Sequence, residues 1–84
     1  MGTRSRPKPK HLARKLKQIR LSLGLSQDGL IDRLGVEEEV VRSTISAFER
    51  GVREPSYPLL LKYARIAGVS TDALIDDDAE LDLS

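Results

Sequence analysis

Apolar residues recur at helical spacing through most of the chain, and short polar or glycine-containing breaks separate the runs. In the first run a leucine or isoleucine returns every three or four residues from Leu12 to Leu23, and Gly24 ends the pattern. Such a run predicts an amphipathic helix with its apolar stripe turned to a core. No segment has the alternation of a half-buried strand, so the predicted fold class is all-α.

Start and stop signals predict four further helices after the first. A serine or threonine can accept a hydrogen bond at a helix start, and a glycine can adopt the left-handed conformation after a helix end. In chain order these signals are Ser26 and Gly35, Gly51, Ser56 and Gly68, and Ser70 or Thr71. They predict short helices two and three, a longer helix four, and a short helix five through Ile75.

The third predicted helix, over residues 42–49, has an unusual outer face. Ile45 and Phe48 share one side at 3.6 residues per turn and predict the buried stripe. The side chains expected to look elsewhere are short or basic: Arg42, Ser43, Ser46, Ala47 and Arg50. Short side chains let a backbone come close to a partner, so this face favours an interface over plain solvation.

Composition restricts the class of protein. A chain of 84 residues holds one small domain. The absence of cysteine excludes a disulfide framework and a thiolate zinc site. No apolar run approaches the roughly 18 residues of a membrane span, and no signal-peptide core follows the N-terminus. We therefore expect a cytoplasmic protein without a membrane partner.

Charge is unevenly distributed although the net charge is only +1. Residues 1–20 carry eight Lys or Arg and no acid, whereas residues 76–84 carry five acids and no base. The pattern divides the chain into a basic flexible arm (1–10), a folded domain (11–75) and an acidic tail (76–84). Both ends are either solvated disorder, or the arm binds a polyanion, along its backbone or in a minor groove, and the tail competes for the basic surface.

Two short helices joined by a glycine-led connection describe a helix-turn-helix. The phrases LSQDGLIDRLGV (25–36), STISAFERGVREPS (43–56) and LLLKYARIAGVSTDALI (59–75) resemble the Cro and lambda-repressor type of helix-turn-helix domain, the xenobiotic response element family. The resemblance covers about residues 12–75. It implies a compact five-helix, lambda-repressor-like domain that acts as a sequence-specific transcriptional regulator, a homodimer on palindromic double-stranded DNA with helix three in the major groove.

The resemblance also implies site residues. The glutamine matching Gln27 contacts the DNA backbone, and the arginine matching Arg50 approaches a phosphate. The residues meeting base edges match Arg42, Ser43, Thr44 and Ala47. Physical chemistry agrees with these roles, because arginine can bond guanine in a bidentate way and an alanine methyl can meet a thymine methyl.

The connection GVEEEVVR before helix three is about four residues longer than the family pattern and carries Glu37, Glu38 and Glu39. We expect these residues to form an added turn at the front of helix three, where carboxylates suit the helix dipole. Beside phosphates they would be repulsive. The connection is therefore expected either to swing away from DNA or to hold Arg42 until DNA competes for it.

Several residues have structural alternatives to a functional role. Glu49 is expected to pair with an arginine such as Arg53 or to bond backbone, and Ser43 can either cap helix three or meet a base. His11 stands without a second ligand type, so we predict no metal, cofactor or catalytic site and no enzyme activity. Dimer contacts are expected from helix five and the tail, through Val69, Leu74, Ile75, Leu81 and Leu83.

A second function class stays open. The same fold can serve as a protein-interaction module, such as an antitoxin or a regulatory adaptor. The features that favour a protein partner are the acidic tail and the insertion from Glu37 to Glu39. Salt dependence discriminates between the two, because phosphate neutralisation makes DNA affinity fall steeply with salt.

Overall fold

The computed structural model describes residues 9–83, and within that range the fold is five α-helices without a strand. The helices are α1 (Leu12–Ser22), α2 (Gln27–Leu34), α3 (Arg42–Glu49), α4 (Tyr57–Ala67) and α5 (Thr71–Ile75). The all-α class is confirmed. The basic arm predicted at 1–10 lies mostly outside the described residues, which begin at Pro9.

Serine caps begin three of the helices as predicted. Ser26 Oγ accepts a hydrogen bond from the Gly29 backbone N–H at 2.9 Å, at the start of α2. Ser56 and Ser70 accept from the third residue of α4 and α5 in the same way. Gly35 ends α2 at φ 71°, a left-handed conformation that a side chain would strain.

One core lies between the helices. The α1 helix packs against α3, α4 and α5, and α2 packs against α3 and α4. The side chains that are completely buried at its centre come from all five helices: Leu16, Ile19, Leu30, Ile45, Tyr63 and Leu74. Burying such residues removes apolar surface from water, which is the main favourable contribution to folding.

The inserted residues fold as a turn of their own, which corrects the expectation of an added turn on α3. The Val40 backbone N–H bonds the Val36 carbonyl oxygen at 3.0 Å, and both valine side chains are buried. Val41 then adopts an extended conformation at ψ 171° and is the N-cap of α3. Glu37, Glu38 and Glu39 are exposed on this turn. Two buried valines therefore anchor the acidic turn separately from the helix.

The acidic tail packs back onto α1 through Asp77. Its carboxylate accepts hydrogen bonds from the backbone N–H groups of Lys10, at 2.9 Å, and of His11, at 3.1 Å. These bonds hold the pKa of Asp77 below its usual range, with Lys10 the larger cause and His11 the second. The carboxylate thus satisfies donors at the start of α1 that have no intrahelical partner.

Lys15 forms the reciprocal contact from α1 to the end of α5. Its side chain is 1% exposed, and Nζ donates to the carbonyl oxygens of Ala73 and Asp76 at 2.7 Å each. A cation is favourable at a helix C-terminus, where carbonyl groups lack intrahelical donors. Among the described residues Lys15 is the most deeply buried charged residue, although the sequence pattern marked it only as one of several basic residues.

The apolar residues expected at a dimer contact are packed to different degrees within their own chain, and their role in a dimer stays a prediction. Leu74 is completely buried, and Leu81 and Leu83 are partly buried against the core. Val69 packs there as well. Of the apolar residues expected at a dimer contact, Ile75 stays the most accessible, at 39% exposed.

Candidate nucleic-acid interface

The N-terminal turn of α2 and the outer face of α3 line one open depression on the surface. Gln27 and Asp28 line it from α2, and Arg42, Ser43 and Ser46 line it from α3. The acidic turn reaches the same depression through Glu37. The structure therefore brings together three of the site residues expected from the sequence, Gln27, Arg42 and Ser43. We call this set, with Asp28 and Ser46, the α2–α3 face.

Arg50 is connected to the same face through Ser46. Arg50 Nε donates a hydrogen bond to Ser46 Oγ at 3.3 Å, one helical turn earlier. Thr44 is half-buried and lines a different depression with Glu39, Arg53 and other residues of the following segments. Thr44 thus lies on a different side of α3 from Ser43 and Ser46.

Ala47 has little accessible surface, although helical spacing places it on the outer side of α3 with Ser43 and Arg50. Its exposure is 7%, and its carbonyl oxygen accepts hydrogen bonds from the backbone N–H groups of Val52 and Arg53. Its expected contact with a base edge stays a prediction. Because so little of its surface is accessible, Ala47 is not counted in the α2–α3 face.

Ser43 lies in the first turn of α3 but does not cap it. The N-cap is Val41, and α3 has no side-chain hydrogen bond at its start. The Ser43 hydroxyl is exposed beside Arg42. The capping alternative for Ser43 is thereby excluded, and its side chain remains directed to the α2–α3 face.

Arg42 and Asp28 form a bidentate ion pair across the depression. Arg42 Nε donates to Asp28 Oδ1 at 3.3 Å, and Arg42 Nη2 donates to Asp28 Oδ2 at 3.0 Å. The two side chains remain 68% and 63% exposed. Of the two alternatives for the insertion, the one in which its glutamates hold Arg42 is not observed, because Asp28 of α2 makes that contact. A connection that swings away from DNA stays a prediction.

Glu49 connects α3 to α1 through a buried ion pair. Its carboxylate accepts hydrogen bonds from Arg20 Nε at 2.7 Å and from Arg20 Nη2 at 3.0 Å, and the side chains of Glu49 and Arg20 are only 5% and 13% exposed. The structural role expected for Glu49 is confirmed, but its partner is Arg20 of α1 and not Arg53. The hydrogen bond to Glu49 raises the pKa of Arg20. Gln27 Nε2 also reaches Glu49 Oε1, at 3.5 Å.

Tyr63 lies in the core close to this pair. Its hydroxyl is buried without a hydrogen-bond partner among the described residues. Burial is the main cause that raises the pKa of Tyr63, and the charge of Glu49 adds to it. The raised pKa keeps the hydroxyl protonated, so Tyr63 is an uncharged neighbour of the pair.

No candidate metal site lies within the described residues. Residues 9–83 contain no group of three or more His, Cys, Asp or Glu side chains arranged to hold a metal ion. None of the described helices is long and apolar enough to cross a membrane.

Sequence reasoning did not include Asp28 or Ser46 in the site. Ser46 was assigned to the outer face of α3, and its spacing of four residues from Arg50 and Arg42 is a usable signal. Asp28 had only a weak signal, as an acidic residue in the first turn of α2. Because the connection before α3 is lengthened, the sequence did not indicate which residue of α2 would stand opposite Arg42.

Comparison with known proteins places this geometry in a family. The helix-turn-helix family model matches residues 16–74. An uncharacterized HTH-type transcriptional regulator of Bacillus subtilis (strain 168), YqaE, is 34% identical over 64 residues, which are 76% of this chain and 52% of that protein. A second regulator of that bacterium, the SPbeta prophage-derived uncharacterized HTH-type transcriptional regulator YonR, is 39% identical over 61 residues, covering 73% and 53% of the two chains.

The chain spans about half the length of these curated relatives. No solved structure matches the chain at a significant level.

Proposed function

The chain belongs to the Cro/C1-type helix-turn-helix family of transcriptional regulators, and from this premise we propose that it binds double-stranded DNA sequence-specifically with α3 in the major groove. The observation that carries the proposal is the α2–α3 face. Short hydroxyl side chains at Ser43 and Ser46 lie between Arg42 and Arg50 on one exposed side of α3. A groove about 12 Å wide admits a helix whose outer side chains are short.

Base reading is proposed for Arg42 and Ser43 at the start of α3. The N-terminal residues of a recognition helix are those that reach base edges. Arg42 can donate two parallel hydrogen bonds to guanine O6 and N7, and Ser43 can donate or accept. Thr44 is proposed to lie near the bases without contacting their edges, because it lines a different side of the helix.

Phosphate contacts are proposed for Gln27 and Arg50. Gln27 is the first residue of α2, where the N–H groups and dipole of the helix favour an anion. Arg50 is exposed immediately after the last turn of α3. Contacts of this kind fix the register of a protein on DNA and contribute no sequence preference themselves.

A homodimer on a palindromic site is part of the proposal. One domain of this size presents a single recognition helix, and paired half-sites about one helical turn apart multiply its specificity. Ile75 is the most accessible member of the expected contact set, and Val69, Leu81 and Leu83 are partly buried.

A protein partner is the second candidate function, favoured by the acidic turn. The three glutamates are exposed on a turn that Val36 and Val40 hold in the core. A fixed group of carboxylates suits a basic protein surface better than a phosphate backbone. The acidic tail is a weaker candidate, because Asp77, Leu81 and Leu83 already contact the rest of the domain.

Selection of bound sequences from a random duplex pool tests the proposal. The winning duplex is then titrated at about 50 and 200 mM salt with the wild type, Arg42→Ala, Arg50→Ala and the control Arg65→Ala, which changes an exposed arginine of α4. We expect a two-part motif and an affinity that falls steeply with salt. Arg42→Ala should relax one motif position, and Arg50→Ala should weaken all duplexes equally and lower the salt slope by about 1.

The opposite outcome would favour the protein partner. If no sequence is enriched and the weak binding disappears at the higher salt, α3 does not read DNA. Copurification of one stoichiometric protein, lost on replacing the three glutamates by glutamine, would then support the interaction module. Equal effects of Arg42→Ala and Arg65→Ala on the motif would reject only the assignment of a base contact to Arg42.

A further inference from the structure

The ion pair between Arg42 and Asp28 is bidentate, although its expected contribution to the stability of the fold is small. Both side chains are mostly exposed, at 68% and 63%. Exposed pairs typically contribute little to stability, because water competes and two long side chains lose rotamer freedom. The consequence of the pair therefore lies more in the orientation of Arg42 than in the stability of the fold.

Asp28 approaches Arg42 from the side of the guanidinium group. The two donors used are Nε and Nη2, at 3.3 and 3.0 Å from the carboxylate oxygens. A guanidinium group carries one N–H on Nε and two on each terminal nitrogen. The side-on pair therefore leaves the end-on fork, one N–H from each terminal nitrogen, free for a second partner. Guanine presents O6 and N7 to such a fork in the major groove.

Asp28 is itself held in place by its helix. It is the second residue of α2 after the Ser26 cap, where the dipole favours a carboxylate. Arg42 is the first residue of α3 and is otherwise exposed. Within the pair, Arg42 has already lost part of the rotamer freedom that it would otherwise lose on binding.

We propose that Asp28 is a positioning residue that determines specificity, holding Arg42 side-on so that the end-on fork selects guanine. The inference rests on the proposed function, in which Arg42 meets a base edge. Asp28 also keeps the guanidinium from turning to a nearby phosphate, because the carboxylate already occupies its side-on donors. An arginine that is free to turn binds any duplex and discriminates less.

The proposal predicts opposite changes in affinity and in selectivity. Removing Asp28 removes a negative charge beside DNA, so nonspecific affinity rises. At the same time Arg42 becomes free to turn, so the preference for guanine at its position falls. A carboxylate that acted only through its charge would raise the affinity for every duplex by the same factor.

The experiment compares Asp28→Ala with Asp32→Ala in the full chain. Asp32 is an exposed aspartate one turn later on the same helix, so its replacement removes the same charge without releasing Arg42. Dissociation constants are measured for the selected duplex and for the three duplexes substituted at the position that Arg42 reads. We expect Asp28→Ala to lower the preference for guanine about tenfold, a part of the discrimination that a bidentate contact supplies. Asp32→Ala should leave that preference unchanged.

A lysine variant provides a second readout that does not depend on charge. Arg42→Lys keeps the charge but cannot form the side-on and end-on forks together. Its guanine preference should be low, and adding Asp28→Ala to it should lower the preference no further. Thermal unfolding midpoints of all variants verify that they are folded.

Each outcome separates the inference from the proposed function. If Asp28→Ala keeps the guanine preference while Arg42→Ala loses it, the function stands and the positioning role of Asp28 is wrong. Equal losses from Asp28→Ala in the wild-type and Arg42→Lys backgrounds would also reject the positioning role. If the wild type prefers no base at any position that depends on Arg42, both the proposed base contact and the inference fail.

Discussion

Two arginine–carboxylate pairs hold the two sides of α3, and they differ mainly in burial. Arg20 and Glu49 meet between α1 and α3 with side chains 13% and 5% exposed, whereas Arg42 and Asp28 meet at the surface with 68% and 63% exposed. Both pairs are bidentate. The same kind of ion pair therefore holds a helix in place where it is shielded from water. Where the pair is exposed, its arginine remains available to a partner.

The buried pair should give the largest effect on stability. Glu49→Gln leaves the Arg20 guanidinium partly desolvated without a charged acceptor, so we expect a loss of about 3 kcal/mol in the free energy of unfolding. Urea denaturation measures it. The control is Glu38→Gln on the exposed acidic turn, for which the change should stay within about 0.5 kcal/mol. Equal values for the two variants would contradict the assigned role of the pair.

Lys15 is a buried charge whose partners are carbonyl oxygens and not a carboxylate. Lys15→Met keeps the length and apolar stem of the side chain but removes the hydrogen bonds of Nζ to the carbonyl oxygens of Ala73 and Asp76, of which Asp76 keeps the Ala79 N–H as a donor. We expect a loss of about 2 kcal/mol, measured by urea denaturation. Lys17→Met, on the exposed side of the same helix, is the matched control. A stable Lys15→Met protein would mean that the contact between α1 and α5 rests on its apolar neighbours.

Asp77 links pH to the contact between the tail and α1. Its pKa is lowered in the folded state by the Lys10 and His11 N–H groups, so the unfolded chain binds a proton more readily and stability rises with pH in this range. The contribution is complete above about pH 4, the usual value of an aspartate, and is lost as pH falls through the lowered pKa.

The measurement is the thermal unfolding midpoint of wild type and Asp77→Asn from neutral to acid pH. We expect a smaller loss than for Lys15→Met at neutral pH, and a difference between the two proteins that shrinks at low pH. Asp78→Asn is the control, because Asp78 bonds through its backbone N–H to the Asp76 carboxylate, within the tail. A difference that stays constant with pH would place the effect of Asp77 elsewhere.

The exposed pair should give the smallest effect on stability. Asp28→Ala is expected to change the free energy of unfolding by less than about 1 kcal/mol, because both partners are solvated in either state. Urea denaturation measures the change beside that of Glu49→Gln. A loss as large as that of Glu49→Gln would contradict the contrast between the two pairs and would mean that Asp28 stabilises the fold.

The helices and their limits were largely predictable because their signals are local. Ser26, Ser56 and Ser70 cap helices at the expected places, and the third helix spans 42–49 as predicted. The inserted connection was predicted less well. Its fold depends on Val36 and Val40 reaching a core formed by distant helices, and a local pattern does not show whether such a core has room for them.

The candidate site was predicted in part for the same reason. Arg42, Ser43 and Gln27 follow from position within a helix and from the family resemblance, and they line one depression. Helical spacing places Ala47 on the outer side of α3, yet it is only 7% exposed, because spacing gives an angle around the axis and does not show which neighbouring groups cover that side.

The all-α class, the five helices and the short polar outer face of α3 follow from local sequence signals, because periodicity and capping act between residues a few positions apart. The contacts of the charged side chains depend on the tertiary structure. Arg20 and Glu49 are 29 residues apart, Arg42 and Asp28 are 14 apart, and the Asp77 carboxylate bonds the backbone N–H of Lys10, 67 residues earlier. Such pairs form when packing of apolar faces brings distant segments together, so their partners depend on the angles between helices.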